Sequence, residues 1–164
     1  MDDFMKALGY KALDSRLRRI SEAMARDIKQ IYKELQIDVE PNWYLVFMLL
    51  RDHQCLSIAD IAERLRYAHP SVVVIVQKME ERGYVDASSD PDDKRKKLIS
   101  LTEKAARMLP ELERIWDSCE NAILQVLDND LAILGYMDRL ESKLNATPFY
   151  KRFKNEYRKR GDLL

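Results

Sequence analysis

The chain has 164 residues, room for one domain with a core of its own, and its 28 basic and 28 acidic side chains cancel to a formal charge of zero. Only 4 glycines and 5 prolines, with 46% hydrophobic residues, leave little material for loops and favour a mainly helical fold. The neutral total gives no general polybasic character, so any nucleic-acid function must rest on how the charge is distributed.

Residues 3–35 are expected to form one long helix. Leu13, Leu17, Ile20, Met24, Ile28, Ile31 and Leu35 recur at steps of three and four, one apolar stripe of period near 3.6. A stripe this long exceeds what one small domain covers, which suggests a helix that also packs on a second copy of itself; a plain intradomain helix is the alternative. Pro41 is well placed at a helix start, and a second helix, about 41–52, carries Trp43, Val46, Phe47, Leu49 and Leu50 and is expected to be buried. Ser57 and Asp60 mark the start of a third helix, about 58–65, a hydroxyl cap followed by a carboxylate that suits the helix dipole. After a short connection at 66–69, Pro70 or Ser71 opens a fourth helix to about Arg82, with Val72, Ile75, Val76 and Met79 inward. Gly83 ends it.

Two short helices joined by a tight turn form a helix-turn-helix pattern. An extended run from Tyr84, a polar tip at 87–93 and a returning strand at 96–102 add a hairpin, and a hairpin in this place is a wing. Thr102 is expected to cap a helix over 103–127, with Pro110 as a possible kink. Further helices are expected at 130–144 and, after Thr147-Pro148, at 148–160, the last one basic.

These segments resemble the MarR family of winged-helix regulators. The wing stretch from Asp93 through Arg95 to Leu98-Ile99-Ser100-Leu101-Thr102 follows the family signature, with Ala105 where the family has glycine. Residues 58–65, His69-Pro70-Ser71-Val72 and the run from Met79 to Val85 are similar to its helix-turn-helix. The stretch at 40–43, the His69-Pro70-Ser71 turn and residues 140–144 look most like the MarR-type domains that precede a GNAT acetyltransferase, and this sequence reaches Leu164 without one.

The resemblance implies a mainly α fold with a small β-wing, a single domain over 1–164. Its winged helix-turn-helix core would span about 41–102, and its dimerisation helices about 3–35 and 103–160. It implies a homodimer on palindromic double-stranded DNA, with the two recognition helices about 34 Å apart, and a small aromatic effector as a further partner. The candidate DNA contacts are Ser57, His69, Ser71, Val74, Gln77 and Lys78, together with the wing's Lys94, Arg95, Lys96 and Lys97. Asp93 is expected to pair with Arg95. Val73 and Val74 stand where the family often has Thr and Arg, which favours apolar over hydrogen-bonded base contact, unless they are buried or face a partner. The alternative function is a winged-helix dimerisation or protein-interaction module without sequence-specific DNA binding.

Tyr10, Trp43, Tyr44, Phe47 and Trp116 either line an effector pocket or fill the core. Cys55 and Cys119 fit no metal-ligand spacing and no disulfide framework; both are expected to be buried, inert thiols, with redox sensing as the alternative. His53 and His69 are the only histidines, and no nucleophile triad, phosphate loop or dinucleotide fingerprint is present, so neither enzyme activity nor a metal or cofactor is expected. No apolar run reaches the ~18 residues of a membrane span, and the acidic N-terminus has no signal-peptide core. A cytoplasmic protein is the expectation.

Overall fold

The structure is a computed structural model that describes residues 3–91, 93, 94, 96–159 and 161. It divides into two compact units, Met1–Arg114 and Ile115–Leu164.

The first unit opens differently from the expected single helix. Helix α1 (Phe4–Ala7) has four residues and is capped by the Asp3 carboxylate, which accepts from the Met5 and Lys6 N–H groups at 3.1 and 3.4 Å. Gly9 then takes φ +59°, a left-handed conformation that side chains with a Cβ resist. It opens a 3-10 turn at Gly9–Ala12, and only then does α2 (Leu13–Glu34) begin. Arg19 on α2 reaches back to grip Asp3 through two bonds of 3.2 and 2.7 Å. The apolar stripe of α2 is present, but within the chain it lies largely uncovered: Leu13, Leu17, Ile20, Met24, Ile31 and Leu35 are each 38–55% exposed. Tyr32 is the buried member of the helix.

A 3-10 turn at Pro41–Trp43 leads into α3 (Tyr44–Asp52), which buries Val46, Phe47 and Leu50 and leaves Tyr44 partly exposed. A two-residue strand, β1 (Leu56–Ser57), precedes α4 (Ile58–Leu65); α5 (His69–Glu81) follows, with Pro70 in its first turn, where a missing N–H costs nothing. The buried face of α5 is Val72, Ile75, Val76 and Met79, as the period predicts. Gly83, at φ +70°, releases the chain into the hairpin of β2 (Val85–Ser89) and β3 (Lys97–Leu101). The sheet is antiparallel in the order β1-β3-β2, with Leu56 opposite Ile99 on one side of β3 and Ala87 opposite Ile99 on the other. The tip thus begins three residues later than the expected 87–93, because β2 runs on to Ser89 and β3 starts only at Lys97. Ala87, Ser88 and Ser89 are polar or small, yet they join the ladder because Lys97, Leu98 and Ile99 offer it across the hairpin.

Helix α6 (Glu103–Val126) continues through Pro110. Thr102 caps it as expected: its hydroxyl accepts from the Ala105 N–H at 3.2 Å and donates to the Gly83 carbonyl at 2.7 Å. The core of the first unit gathers around Tyr84, which meets the edges of Trp43 and Phe47 at centroid distances of 5.9 and 5.7 Å. Ile61, Met79, Ile99 and Leu112 complete it, each with no more than 1% of its surface exposed. Each such side chain contributes about 1.5–3 kcal/mol of burial.

In the second unit, α7 (Ala132–Ala146) starts where the Asp130 carboxylate accepts from the Ala132 N–H at 2.9 Å. The basic helix α8 (Phe149–Lys159) is tied to it by Arg152, which donates to the carbonyls of Thr147 and Lys143 at 3.0 and 2.7 Å. The Lys143 carbonyl also accepts from the Thr147 N–H at 3.1 Å, so Arg152 adds a second donor at the end of α7. Leu131, Leu134, Met137, Leu140 and Leu144 are exposed, as are Phe149, Tyr150 and Phe153. Among the described residues no helix is long and apolar enough to cross a membrane.

Candidate nucleic-acid interface

Helices α4 and α5 pack on each other, and β2 packs against α5. Burial of one face of α5 leaves the opposite face to solvent: Ser71, Val74, Gln77 and Lys78 are exposed, as is His69 in the first turn. At about 3.6 residues per turn, Val74 and Gln77 straddle the line directly opposite the buried face. Val73 is half-buried, so the two adjacent valines separate into one packed and one outward residue. Val74 is 50% exposed.

The start of α4 is fixed by a reciprocal cap. The Ser57 hydroxyl accepts from the Asp60 N–H at 3.1 Å, and the Asp60 carboxylate takes the Ser57 N–H at 3.1 Å and the Ser57 hydroxyl proton at 2.6 Å. This engages both the Ser57 hydroxyl and its N–H in the cap. The Ser57 hydroxyl, with its backbone N–H, holds the Asp60 carboxyl below its ordinary pKa; the charges of Lys96 and Arg64 add to this. The pairing of Ser57 with Leu98 sets the start of α4 beside β3 of the hairpin.

The hairpin tip is tied by Asp90, whose N–H donates to the Lys96 carbonyl at 3.0 Å and whose carboxylate accepts from the Asp93 N–H at 3.2 Å. Lys94, Lys96 and Lys97 are exposed. Arg95, and with it the expected Asp93–Arg95 pair, lies outside the described residues. Arg66, which sequence reasoning passed over, sits in the turn between α4 and α5 at φ +53° and is exposed, as is Tyr67 beside it. Its only sequence signal was its place in the turn.

The exit of α5 is anchored by Arg82, another residue without a sequence signal. Its guanidinium reaches Asp38 and Glu40, both at 3.0 Å, and lies 5.0 Å from the centroid of the Trp43 ring. Lys104 donates to the Arg82 carbonyl at 2.6 Å and stands 4.1 Å from the Tyr84 ring centroid. Helix α5 is therefore clamped at its C-terminal end by the segment before α3 and by the start of α6.

The five aromatic residues considered for an effector pocket differ in burial. Trp43 and Phe47 are fully buried against Tyr84 and are core. The buried Trp43 N–H has no hydrogen-bond acceptor among the described residues. Tyr10 is 85% exposed in the 3-10 turn, Tyr44 is partly exposed, and Trp116 belongs to the second unit, where it is half-buried. The two thiols also differ from expectation: Cys55 is exposed and Cys119 half-buried. Cys55 falls in the turn after α3 has ended at Asp52, beyond the buried part of that helix.

Residues 37–96, from the segment before α3 to the hairpin tip, match the MarR family. The organic hydroperoxide resistance transcriptional regulator of Bacillus subtilis is 28% identical over 99 residues, 59% of this chain and 67% of that protein. The matched segments span from 46% to 71% of the length of such curated relatives. These relatives are described as transcriptional regulators, not as enzymes. The fold is shared with the MepR–DNA complex of S. aureus, at TM-score 0.66 and 24% identity over 84% of this chain and 97% of that one. It is shared too with Bordetella bronchiseptica BpsR, whose DNA binding is regulated by 6-hydroxynicotinic acid, at TM-score 0.65 and 20% identity over 80% of this chain and 91% of that one. The winged helix-turn-helix on which these MarR-type structures are built is the α4–α5–hairpin arrangement of the first unit.

Proposed function

We propose that this chain is a DNA-binding transcription regulator that acts as a homodimer on a palindromic site. The observation that carries this reading is the outward face of α5. Ser71, Val74, Gln77 and Lys78 project from a helix whose other face is locked into the core, and the adjoining hairpin presents Lys94, Lys96 and Lys97. The α5 face suits the major groove, with Gln77 able to pair with adenine; the lysines suit backbone phosphates or the minor groove beside it. The half-exposed stripe on α2 supports the dimer, because a soluble monomer rarely leaves so long an apolar row in water.

In vitro selection from a random duplex pool tests the reading. A two-fold symmetric site bound by the dimer is expected. A purified dimer that enriches no sequence and shows no salt-sensitive DNA binding favours the protein-interaction alternative.

Control by a small aromatic effector is the second part of the proposal, motivated by the regulation of BpsR by 6-hydroxynicotinic acid. Within the first unit, Tyr44 is the partly exposed aromatic side chain on α3 best suited to take part. Release of the selected duplex on titrating aromatic carboxylates tests it, and Tyr44→Ala should weaken that release. Release unchanged in Tyr44→Ala would remove Tyr44 from the site.

A further inference from the structure

We propose that Val74 makes recognition depend on a pyrimidine C5-methyl group, so that the thymine it meets is told from uracil and cytosine by that methyl. The inference rests on the DNA-binding reading of α5.

The face of α5 turned away from the core carries polar side chains at Ser71, Gln77, Lys78 and Glu81. Val74 is the large hydrophobic residue exposed there, and it stands in the first half of a 13-residue helix. The N-terminal half of a recognition helix is the part that reaches base edges. A valine in a helix has one strongly preferred rotamer, so its two methyl groups are held in place before binding and lose little freedom on contact.

Valine neither donates nor accepts a hydrogen bond. The apolar feature that the bases offer in the major groove is the thymine methyl. Set against a cytosine amine or a guanine carbonyl, Val74 would strip water from a polar group and return no partner. Set against thymine, it buries a methyl on both sides. Gln77, three residues on and one turn along the same outward face, is placed to read a neighbouring base by hydrogen bonds. The half-buried Val73 stays in the packing and takes no part.

The test uses the whole protein and a duplex recovered by selection from a random pool. Each thymine is replaced in turn, in both half-sites, by deoxyuridine, which deletes one methyl and leaves every hydrogen-bonding group. One symmetry-related pair of thymines is expected to respond, with affinity falling roughly fourfold per methyl and roughly fifteenfold for the pair when the half-sites add. Val74→Ala should lose that sensitivity and Val74→Ile should keep it, both with the thermal stability of the parent because the side chain points outward. The proposal is overturned by a selected duplex that binds tightly with no methyl-sensitive thymine, or by Val74→Ala showing the same response as the parent. Failure to select any duplex is a separate result, and it overturns the DNA-binding reading itself.

Discussion

Replacing Thr102 by valine removes one hydroxyl and keeps the shape of the side chain. That hydroxyl joins three parts of the first unit: it donates to the Gly83 carbonyl at 2.7 Å, where α5 gives way to the hairpin, and accepts from the Ala105 N–H at 3.2 Å, where α6 begins. Loss of the cap costs about 1 kcal/mol. Loss of the donor to a partly buried carbonyl costs about 1 kcal/mol more. The expected destabilisation of about 2 kcal/mol lowers a urea midpoint by about 1 M for a slope near 2 kcal/mol/M. Equilibrium urea unfolding, at one fixed protein concentration because a dimer's stability depends on it, measures the effect. Thr102→Ser keeps the hydroxyl and should recover most of the loss. A Thr102→Val protein within 0.5 kcal/mol of the parent would refute the claim that this hydroxyl ties the recognition helix, hairpin and α6 together.

Further outcomes follow from other parts of the structure. Leu17→Glu places a carboxylate in the uncovered stripe of α2 and should convert the proposed dimer to monomer in sedimentation velocity; a dimer unchanged at the same concentration would place the interface elsewhere. The Arg19 guanidinium beside Asp3 lowers that carboxyl from 3.8 to about 2. A depressed carboxyl stabilises the fold above its unfolded pKa, and the contribution is lost as pH falls from about 4 through about 2. NMR titration of the Asp3 carboxyl carbon should show the low midpoint, and Arg19→Gln should return it toward 3.8; a midpoint already there in the parent contradicts the pairing. Lys97→Ala removes one phosphate contact per protomer, so the salt slope of DNA binding by the dimer should fall by about 1.8. An unchanged slope means that Lys97 faces water in the complex.

The winged helix-turn-helix was legible because its signals are local. Ser57 with Asp60 marks a helix start by its own chemistry, Gly83 supplies a helix end by its tolerance of positive φ, and the spacing of Val72, Ile75, Val76 and Met79 fixes the buried face of α5. Elements decided by distant partners were not legible. β1 is two residues long and exists because β3 runs beside it. Ser88 and Ser89 are strand because of Leu98 and Lys97 across the hairpin. Gly9 precedes the stripe from Leu13 to Leu35, so the stripe carries no information on whether the helix runs across it. Val73 and Val74 differ by one position and take opposite roles, a distinction set by helix phase that composition cannot provide. The aromatic residues Trp43 and Phe47 were open to two roles until Tyr84 placed them in the core. Arg82 shows the same limit: its acidic partners, Asp38 and Glu40, lie more than forty positions away.

The central claim is that the outward face of α5 and the lysines of the hairpin bind DNA as a symmetric pair. Fluorescence anisotropy of a selected duplex, titrated with the dimer over a range of salt concentrations, tests it most directly. The account predicts one dimer per palindrome and a log–log salt slope of about −5 to −9, the signature of roughly six to ten phosphate contacts. Binding that is absent, or that does not weaken as salt rises, would contradict it.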